Sequence, residues 1–249
     1  MVKKPNIYDL SKDTLQEQFQ SAGFSAYHSD KVWASLYRAM TIQFNKMGLR
    51  EDVESWAIST YGIQQLPIQT AQKSSDGDTR KYLLRLEDGE FIETVIMRYR
   101  DRYTACISTQ VGCAMGCVFC ATGQMGFKRH LAVGEIVAQV LHVKTELTKA
   151  GDDLRNIVLM GMGEPLHNYE ATMTALDIIM DKKGLNVAPK HITLSTVGLP
   201  KAIRHLADEE RPIRLAVSLH AANNIDRTAL VPTAKNIDAL IDACRYYAQ

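Results

Sequence analysis

Three cysteines in one short stretch are the residues of this chain whose spacing most plainly indicates chemistry. Cys113, Cys117 and Cys120 follow the pattern Cys-x3-Cys-x2-Cys. Thiolates are the protein ligands of iron–sulfur clusters, and three of them can hold three corners of a [4Fe–4S] cluster while the fourth iron stays open. The spacing therefore predicts a cluster whose open iron can bind and reduce a small molecule.

Two plainer interpretations of these cysteines stand beside the cluster. A structural zinc site could be completed by Cys106 or by a histidine such as His130. Structural zinc usually comes with two spaced pairs of ligands, however, and the sequence has no second cysteine pair. Three buried cysteines without a metal are the other alternative. The ligand spacing favours the iron–sulfur cluster over both.

Glycine-rich and polar segments follow the next predicted strands. Residues 161–165 read Gly-Met-Gly-Glu-Pro, in which the glycines let the backbone approach a ligand and Glu164 can accept hydrogen bonds from an ammonium group. Ser195 and residues 218–220 occupy the corresponding positions after two further strands, where they could bind a ribose or a carboxylate. The plain alternatives are a tight turn and ordinary strand capping.

The composition is that of a soluble globular protein, with 249 residues, 46% hydrophobic, and a formal net charge of +1. The balanced charge gives no overall indication of nucleic-acid binding. The amino terminus lacks a signal peptide, and no apolar run is long enough to span a membrane, so a cytoplasmic location is predicted. Four of the five cysteines lie between residues 106 and 120, which in the cytosol indicates metal or redox chemistry rather than a disulfide framework.

The chain divides into three predicted parts. Residues 1–64 are expected to form a helical domain, with Ser11 as the N-cap of its first helix. Residues 65–102 are expected to form a linker and a β-hairpin extension that turns at Asp88 and Gly89. From residue 103 to residue 249, strands and helices alternate.

This alternation predicts a parallel sheet with crossover helices. Strands are expected at 104–108, 156–160, 191–195 and 213–219, and helices at 133–147, 171–180, 200–206 and from about residue 236. Because the motifs follow the strands, the predicted fold is α/β, a partial (β/α) barrel with a small helical amino-terminal domain. Four strands cannot close a barrel and would leave an unpaired edge, so we expect a fragment of a longer chain. An open half-barrel covered by a partner is the alternative.

Residues 93–220 closely resemble the adenine-C2 RNA methyltransferases of the RlmN/Cfr type, a family of radical S-adenosylmethionine (SAM) enzymes, and the RlmN branch more than the Cfr branch. The resemblance is carried by residues 92–95, 106–126, 161–169 and 215–221. The cysteine spacing is the signature of radical SAM enzymes, and Phe119 stands where an aromatic that packs near adenine is common. The predicted helical leader, residues 1–64, also matches the accessory domain of the family, and the resemblance implies that it binds RNA. The resemblance thus covers essentially the whole chain.

The resemblance implies a radical SAM partial barrel with about four of six βα units, and it implies roles for named residues. Cys113, Cys117 and Cys120 would bind the [4Fe–4S] cluster. The residues implied to contact SAM are Gly163, Glu164, Ser195, Ser218, Leu219 and His220. Glu93 matches the proton acceptor and Cys106 the cysteine that resolves the reaction by forming a disulfide. Taken alone, Glu93 is one polar residue in a strand and Cys106 a small buried side chain.

The implied reaction is methylation of C2 of an adenine in 23S rRNA and in tRNA through a methylated cysteine, with an electron donor such as flavodoxin and a monomeric enzyme. In the family, the methyl-carrying cysteine lies beyond residue 249, so this chain as given is expected to be inactive. Cys244 is no substitute, because it follows Ile237, Leu240 and Ile241 at helical spacing and is expected in the core.

Local cationic runs are the only indication of RNA contact in the sequence itself. Residues 98–103 alternate arginine with tyrosine, and residues 128–130 read Lys-Arg-His. Such residues can meet phosphates and a splayed base, although short charged runs are more often solvated surface. Two other functions are kept as alternatives: a radical SAM enzyme acting on a peptide or small molecule, and a non-catalytic, zinc-stabilised RNA-binding module.

Overall fold

The computed structural model of the protein describes residues 4–233 and 236–249. Three helices open the chain: α1 (Lys12–Ser21), α2 (Ala26–Tyr37) and α3 (Glu51–Thr60). The N-cap of α1 is Ser11, as predicted, because its hydroxyl accepts the backbone N–H of Thr14 at 3.1 Å. Such a cap satisfies one of the unpaired donors at the start of a helix.

In the described part of the chain, nine strands follow the helical segment. They are β1 (Ile68–Lys73), β2 (Thr79–Arg85), β3 (Phe91–Tyr99), β4 (Arg102–Cys106), β5 (Gln110–Gly112), β6 (Phe127–His130), β7 (Leu154–Leu159), β8 (Ile192–Thr196) and β9 (Arg214–Val217). Seven of them form one sheet in the order β1-β2-β3-β4-β7-β8-β9, and β5 pairs with β6 in a separate ribbon. Pairing is antiparallel from β1 to β4 and parallel from β4 to β9. The predicted hairpin therefore extends the same sheet as the parallel strands.

Six further helices lie between or after these strands. They are α4 (Ala121–Gln124), α5 (Val133–Lys149), α6 (Tyr169–Met180), α7 (Pro200–Asp208), α8 (Asn224–Leu230) and α9 (Ile237–Tyr247). The alternation of parallel strands with helices confirms the predicted α/β class. The ribbon β5–β6 and α8 were not predicted from the sequence, and both lie beside the cysteines.

The two faces of the sheet differ in burial. Ala105, Ile157 and Ile192 are fully buried in the main core, which also contains the apolar residues of α5 and α6. Cys106, Val158 and Thr193 are paired in register across β4, β7 and β8, and they lie on the opposite face because side chains alternate along a strand. These three residues are only partly buried. We call this less buried side the open face.

The helical segment packs on the sheet region through specific polar contacts. The Trp33 indole donates to Asp181 Oδ1 at 3.0 Å, and the Asp9 carboxylate accepts the Gly134 N–H at 2.7 Å. Residues of both parts belong to one core. The division into three domains stays a prediction. Among the helices of residues 4–233 and 236–249, none combines the length and apolar character needed to cross a bilayer.

Candidate active site

The cysteine loop lies between β5 and α4. Cys117 is buried and Cys113 and Cys120 are partly buried, and all three are free thiols. They share a small apolar cluster with Met115 and Val231, separate from the main core. The loop is fixed by its own backbone, since Cys120 N–H donates to the Cys117 carbonyl and Cys113 N–H to that of Gly126, both at 3.1 Å.

The three thiols lie near one another. Burial raises the pKa of Cys113, and the neighbouring Cys117 and Cys120 raise it further. Soft thiolate ligands are those that an iron–sulfur cluster requires. Among the described residues, no three His, Cys, Asp or Glu side chains are placed to hold a single metal ion. A cluster needs no such convergence, because each cysteine binds a different iron, so the thiol arrangement fits a [4Fe–4S] cluster.

The glycine-rich segment after β7 is locked to the strand that leads into the cysteine loop. The Met162 carbonyl accepts the N–H groups of Thr109 at 2.8 Å and Gln110 at 3.2 Å. Gly163, the next residue, has a left-handed conformation with φ of +103°. A Cβ added there would be 2.6 Å from Gln110 Cβ. Only glycine allows this close approach. The two predicted motifs therefore form one unit.

Glu164 links this unit to the next strand end. Its carboxylate is buried, with 2% exposure, and it accepts the N–H of Leu166 at 3.0 Å and of Val197 at 2.8 Å. Burial raises its pKa, while these hydrogen bonds act in the opposite direction. Because a carboxylate accepts more than two hydrogen bonds, Glu164 keeps capacity for an ammonium group.

The remaining predicted SAM-binding residues lie at the carboxyl ends of β8 and β9. Ser195 is paired in register with Ala216, and Ser218 N–H donates to the Thr196 carbonyl at 2.8 Å, which extends this pairing beyond β9. The ring of His220 lies 4.7 Å from the ring of Phe119, between centroids. The cysteine loop and residues 218–220 are therefore neighbours. Leu219 is exposed beside them.

Glu93 and Cys106 lie on neighbouring strands, away from the cysteine loop in sequence. Glu93 Oε1 is 2.9 Å from Lys81 Nζ, and its backbone carbonyl accepts the Ser108 hydroxyl at 2.6 Å. Burial raises the pKa of the Cys106 thiol, the Met160 backbone lowers it, and the Glu93 charge raises it. The structure thus brings the two predicted catalytic residues together.

Cys244 lies on α9 and packs against the main core, as its helical spacing predicts. It does not share the apolar cluster of the three loop cysteines. Its position supports a packing role.

The two cationic runs lie in different places. Residues 98–103 cover the end of β3, the turn and the start of β4, and Arg102 at the amino-terminal end of β4 lies roughly 13 Å from Cys106 at about 3.3 Å per residue. Residues 128–130 lie on β6 beside the cysteine loop. There Lys128 pairs with Glu90 and Arg129 with Glu135, both at 2.7 Å. The run near the site is thus largely neutralised by carboxylates.

Three residues that position the site were missed from the sequence. Gln110 is fully buried, and its amide oxygen accepts the Glu164 N–H at 3.0 Å. Asn168 donates to the carbonyls of Thr109 and Leu131, both at 2.9 Å. Arg227 on α8 is buried below residues 218–219. A signal existed only for α8, because Asn223 accepts the Asp226 N–H at 2.9 Å, and asparagine is a typical N-cap.

Comparison with known proteins shows the family to which this chain belongs. A model of the radical SAM superfamily matches residues 107–249. The dual-specificity RNA methyltransferase RlmN 1 of Myxococcus xanthus is 54% identical over 247 residues, covering 98% of this chain and 69% of that protein. A probable dual-specificity RNA methyltransferase RlmN 2 of Opitutus terrae is 45% identical over 279 residues, covering 98% of this chain and 65% of that protein. The chain thus spans about two thirds of the length of these two relatives.

A solved structure shares the fold. The crystal structure of a radical SAM methyltransferase from Sphaerobacter thermophilus superposes with a TM-score of 0.93 at 42% identity, covering 98% of this chain and 72% of the other. The likeness extends over the helical segment, the sheet and the cysteine loop alike.

Proposed function

The chain belongs to the RlmN-type RNA methyltransferases of the radical SAM superfamily, and on this premise we propose that it methylates C2 of adenine in 23S rRNA and tRNA. One observation carries the proposal. The three thiols of the cysteine loop, Glu164 and residues 218–220 lie together beside the carboxyl ends of the parallel strands β4, β7, β8 and β9. Ligands of open α/β sheets bind at these strand ends.

The cofactor residues are proposed from the family resemblance, and their positions in the structure support them. Cys113, Cys117 and Cys120 would hold the [4Fe–4S] cluster as thiolates. When bound, the cluster and SAM supply the radical chemistry, and the protein supplies binding and orientation. The groups that would bind SAM are Gly163, Glu164, Ser195, Ser218, Leu219 and His220. Among them Glu164 is the carboxylate suited to the amino group, because charge-assisted hydrogen bonds are strong in a buried site.

Glu93 and Cys106 would act as a proton acceptor and a nucleophile on the open face of the sheet. The Glu93 carboxylate would accept the proton from adenine C2. The Cys106 thiolate would then attack the sulfur of the methyl-carrying cysteine, forming an S–S bond while the carbon–sulfur bond to the product breaks and its electron pair passes to the product carbon, which takes up a proton. Their position on adjacent strands supports this pairing of roles. Formation of a disulfide by Cys106, and the inactivity of these 249 residues on their own, stay predictions.

The partners and the cellular location are proposed from the membership of the chain in the RlmN-type family. The substrates would be 23S rRNA and tRNA, the reductant an electron donor such as flavodoxin, and the enzyme a cytoplasmic monomer. The names of the relatives support RNA as the substrate class.

Two measurements test the proposal. Anaerobic reconstitution should give about four irons and four sulfides per chain, and the electron paramagnetic resonance (EPR) signal of the reduced protein should change when SAM is added. Zinc alone, or a cluster whose signal ignores SAM, would overturn the cofactor assignment. Mass spectrometry of unmodified 23S rRNA treated with the enzyme that contains this chain should then detect 2-methyladenosine, and methylation at any other atom would refute the C2 assignment.

A further inference from the structure

Arg227 on α8 is a buried cation, with an exposure of 1%. Among the described residues, no Asp or Glu forms an ion pair with it. A charged side chain is almost never buried unless it is paired, because removing its hydration is costly. A negatively charged partner is therefore expected beside Arg227.

The hydrogen bonds of Arg227 only partly satisfy it. Nη1 donates to the carbonyls of Ser218, at 3.3 Å, and Leu219, and Nη2 donates to the carbonyl of Val197. These carbonyls are neutral, and the buried Nε has no hydrogen-bond partner. The guanidinium thus fixes the carboxyl ends of β8 and β9, and its buried Nε–H donor is unused.

The helix that carries Arg227 is attached directly to the cysteine loop. Val118 N–H donates to the Leu230 carbonyl at 3.0 Å, and the Thr233 hydroxyl donates to the Met115 carbonyl at 3.2 Å. Val231 is fully buried in the apolar cluster that contains Cys117.

Val231 N–H donates to the Arg227 carbonyl at 2.7 Å, and the Val231 side chain shares the apolar cluster that contains Cys117. Arg227 therefore belongs to the turn of chain that packs on the cysteine loop, and the thiolates of that loop would supply the negative charge that its guanidinium lacks.

We propose that Arg227 is the buried counter-cation of the iron–sulfur site and raises the reduction potential of the cluster held by Cys113, Cys117 and Cys120. The inference rests on the proposed function, which supplies the cluster. A [4Fe–4S] cluster with three thiolates is anionic, and its reduction adds one electron without making or breaking a bond. A nearby positive charge stabilises the more negative, reduced form, and net charge is among the factors that set cluster potentials. Arg227 is thus a positioning residue that also tunes the cluster.

The test is an EPR-monitored redox titration of the reconstituted protein. Arg227→Gln should shift the midpoint potential to more negative values, whereas Arg227→Lys, which keeps the charge, should stay closer to the unmodified protein. Arg245→Gln is the matched control, because Arg245 is an exposed arginine on α9 and its loss should leave the midpoint unchanged. An unchanged midpoint in Arg227→Gln would overturn the inference.

Iron and sulfide analysis of the unmodified protein distinguishes a failure of the proposed function from a failure of the inference about Arg227. If no cluster forms there, the proposed function fails. If a cluster forms but Arg227→Gln does not fold, electron–nuclear double resonance of the reduced, unmodified protein with 15N-labelled arginine replaces the titration. We expect a 15N coupling that labelled Arg227→Lys lacks, and the absence of any arginine coupling would refute the counter-cation role.

Discussion

Glu93 and Cys106 lie on the same face of neighbouring antiparallel strands, where the carboxylate adds to burial in raising the pKa of the thiol. Cys106 is directly opposite Val95 in the register, and Glu93 precedes Val95 by two residues, which returns it to the same face. A carboxylate and a thiol thus share the open face of the sheet. Neither residue by itself indicates a catalytic role in the sequence. Their proximity follows from the register of the two strands.

The Glu93 charge should be measurable in the reactivity of Cys106. Replacing Glu93 with Gln removes a negative charge that disfavours the thiolate, so the pKa of Cys106 should fall, while burial still holds it above the ordinary value. Alkylation of Cys106 in the cluster-free protein, followed by mass spectrometry as a function of pH, should show the profile displaced to lower pH. Glu17→Gln, on the exposed side of α1, is the control and should leave the profile in place. A shift to higher pH would contradict the assigned proximity.

Gly163 should not tolerate a side chain. Gly163→Ala introduces a Cβ 2.6 Å from Gln110 Cβ at a φ of +103°, so we expect a loss of about 1–3 kcal/mol in the free energy of unfolding, beyond what the backbone conformation costs. Urea unfolding of the cluster-free protein measures this loss in the free energy of unfolding. Gly151→Ala is a matched control, since Gly151 has a φ of +79° but nothing within 4 Å of its added Cβ. Equal losses in the two variants would show that the packing against Gln110 is unimportant.

Glu164 should make stability depend on pH. Burial raises its pKa in the folded state, so the folded protein binds this proton more tightly than the unfolded chain does. The stabilisation that the Glu164 carboxyl gives the folded state is fully present below its pKa in the unfolded chain, near 4.5. It is lost as the pH rises through its pKa in the folded protein. Relative to the unmodified protein, Glu164→Gln should therefore gain stability as the pH rises, even if it is less stable overall because of lost hydrogen bonds.

Urea unfolding at a series of pH values checks this expectation. The control is Glu170→Gln, an exposed position on α6, which should track the unmodified protein at all pH values. A stability difference for Glu164→Gln that stays constant or falls with rising pH would contradict the buried-carboxylate assignment.

Phe119 should contribute to SAM binding without holding the cluster. Its ring lies 4.7 Å from that of His220 and is 54% exposed, so it forms a surface beside residues 218–220. Aromatic contacts of this kind contribute about 0.5–1.5 kcal/mol, so Phe119→Leu should weaken SAM affinity by up to roughly tenfold. Equilibrium binding of SAM to the reconstituted protein measures the change. Phe127→Leu, on β6, is the control; a loss of iron in Phe119→Leu would instead indicate a structural role.

The sequence determined the local features of this protein. The spacing of Cys113, Cys117 and Cys120 lies within one loop, so the ligand set can be recognised without any knowledge of the fold. The cap at Ser11 and the turn at Gly89 were also predictable, because each depends on the conformational preferences of one or two residues. The alternation of apolar strands and amphipathic helices was sufficient for the parallel sheet.

Only the tertiary structure decided which distant residues share a site. The pairing of Glu93 with Cys106 depends on the register between β3 and β4, and a shift of one residue would move a side chain to the other face. The burial of Arg227 depends on how α8 packs on the cysteine loop. The sequence around Arg227 predicted neither α8 nor this burial. Long-range register and burial are set by the packing of the whole core, and no local pattern encodes them.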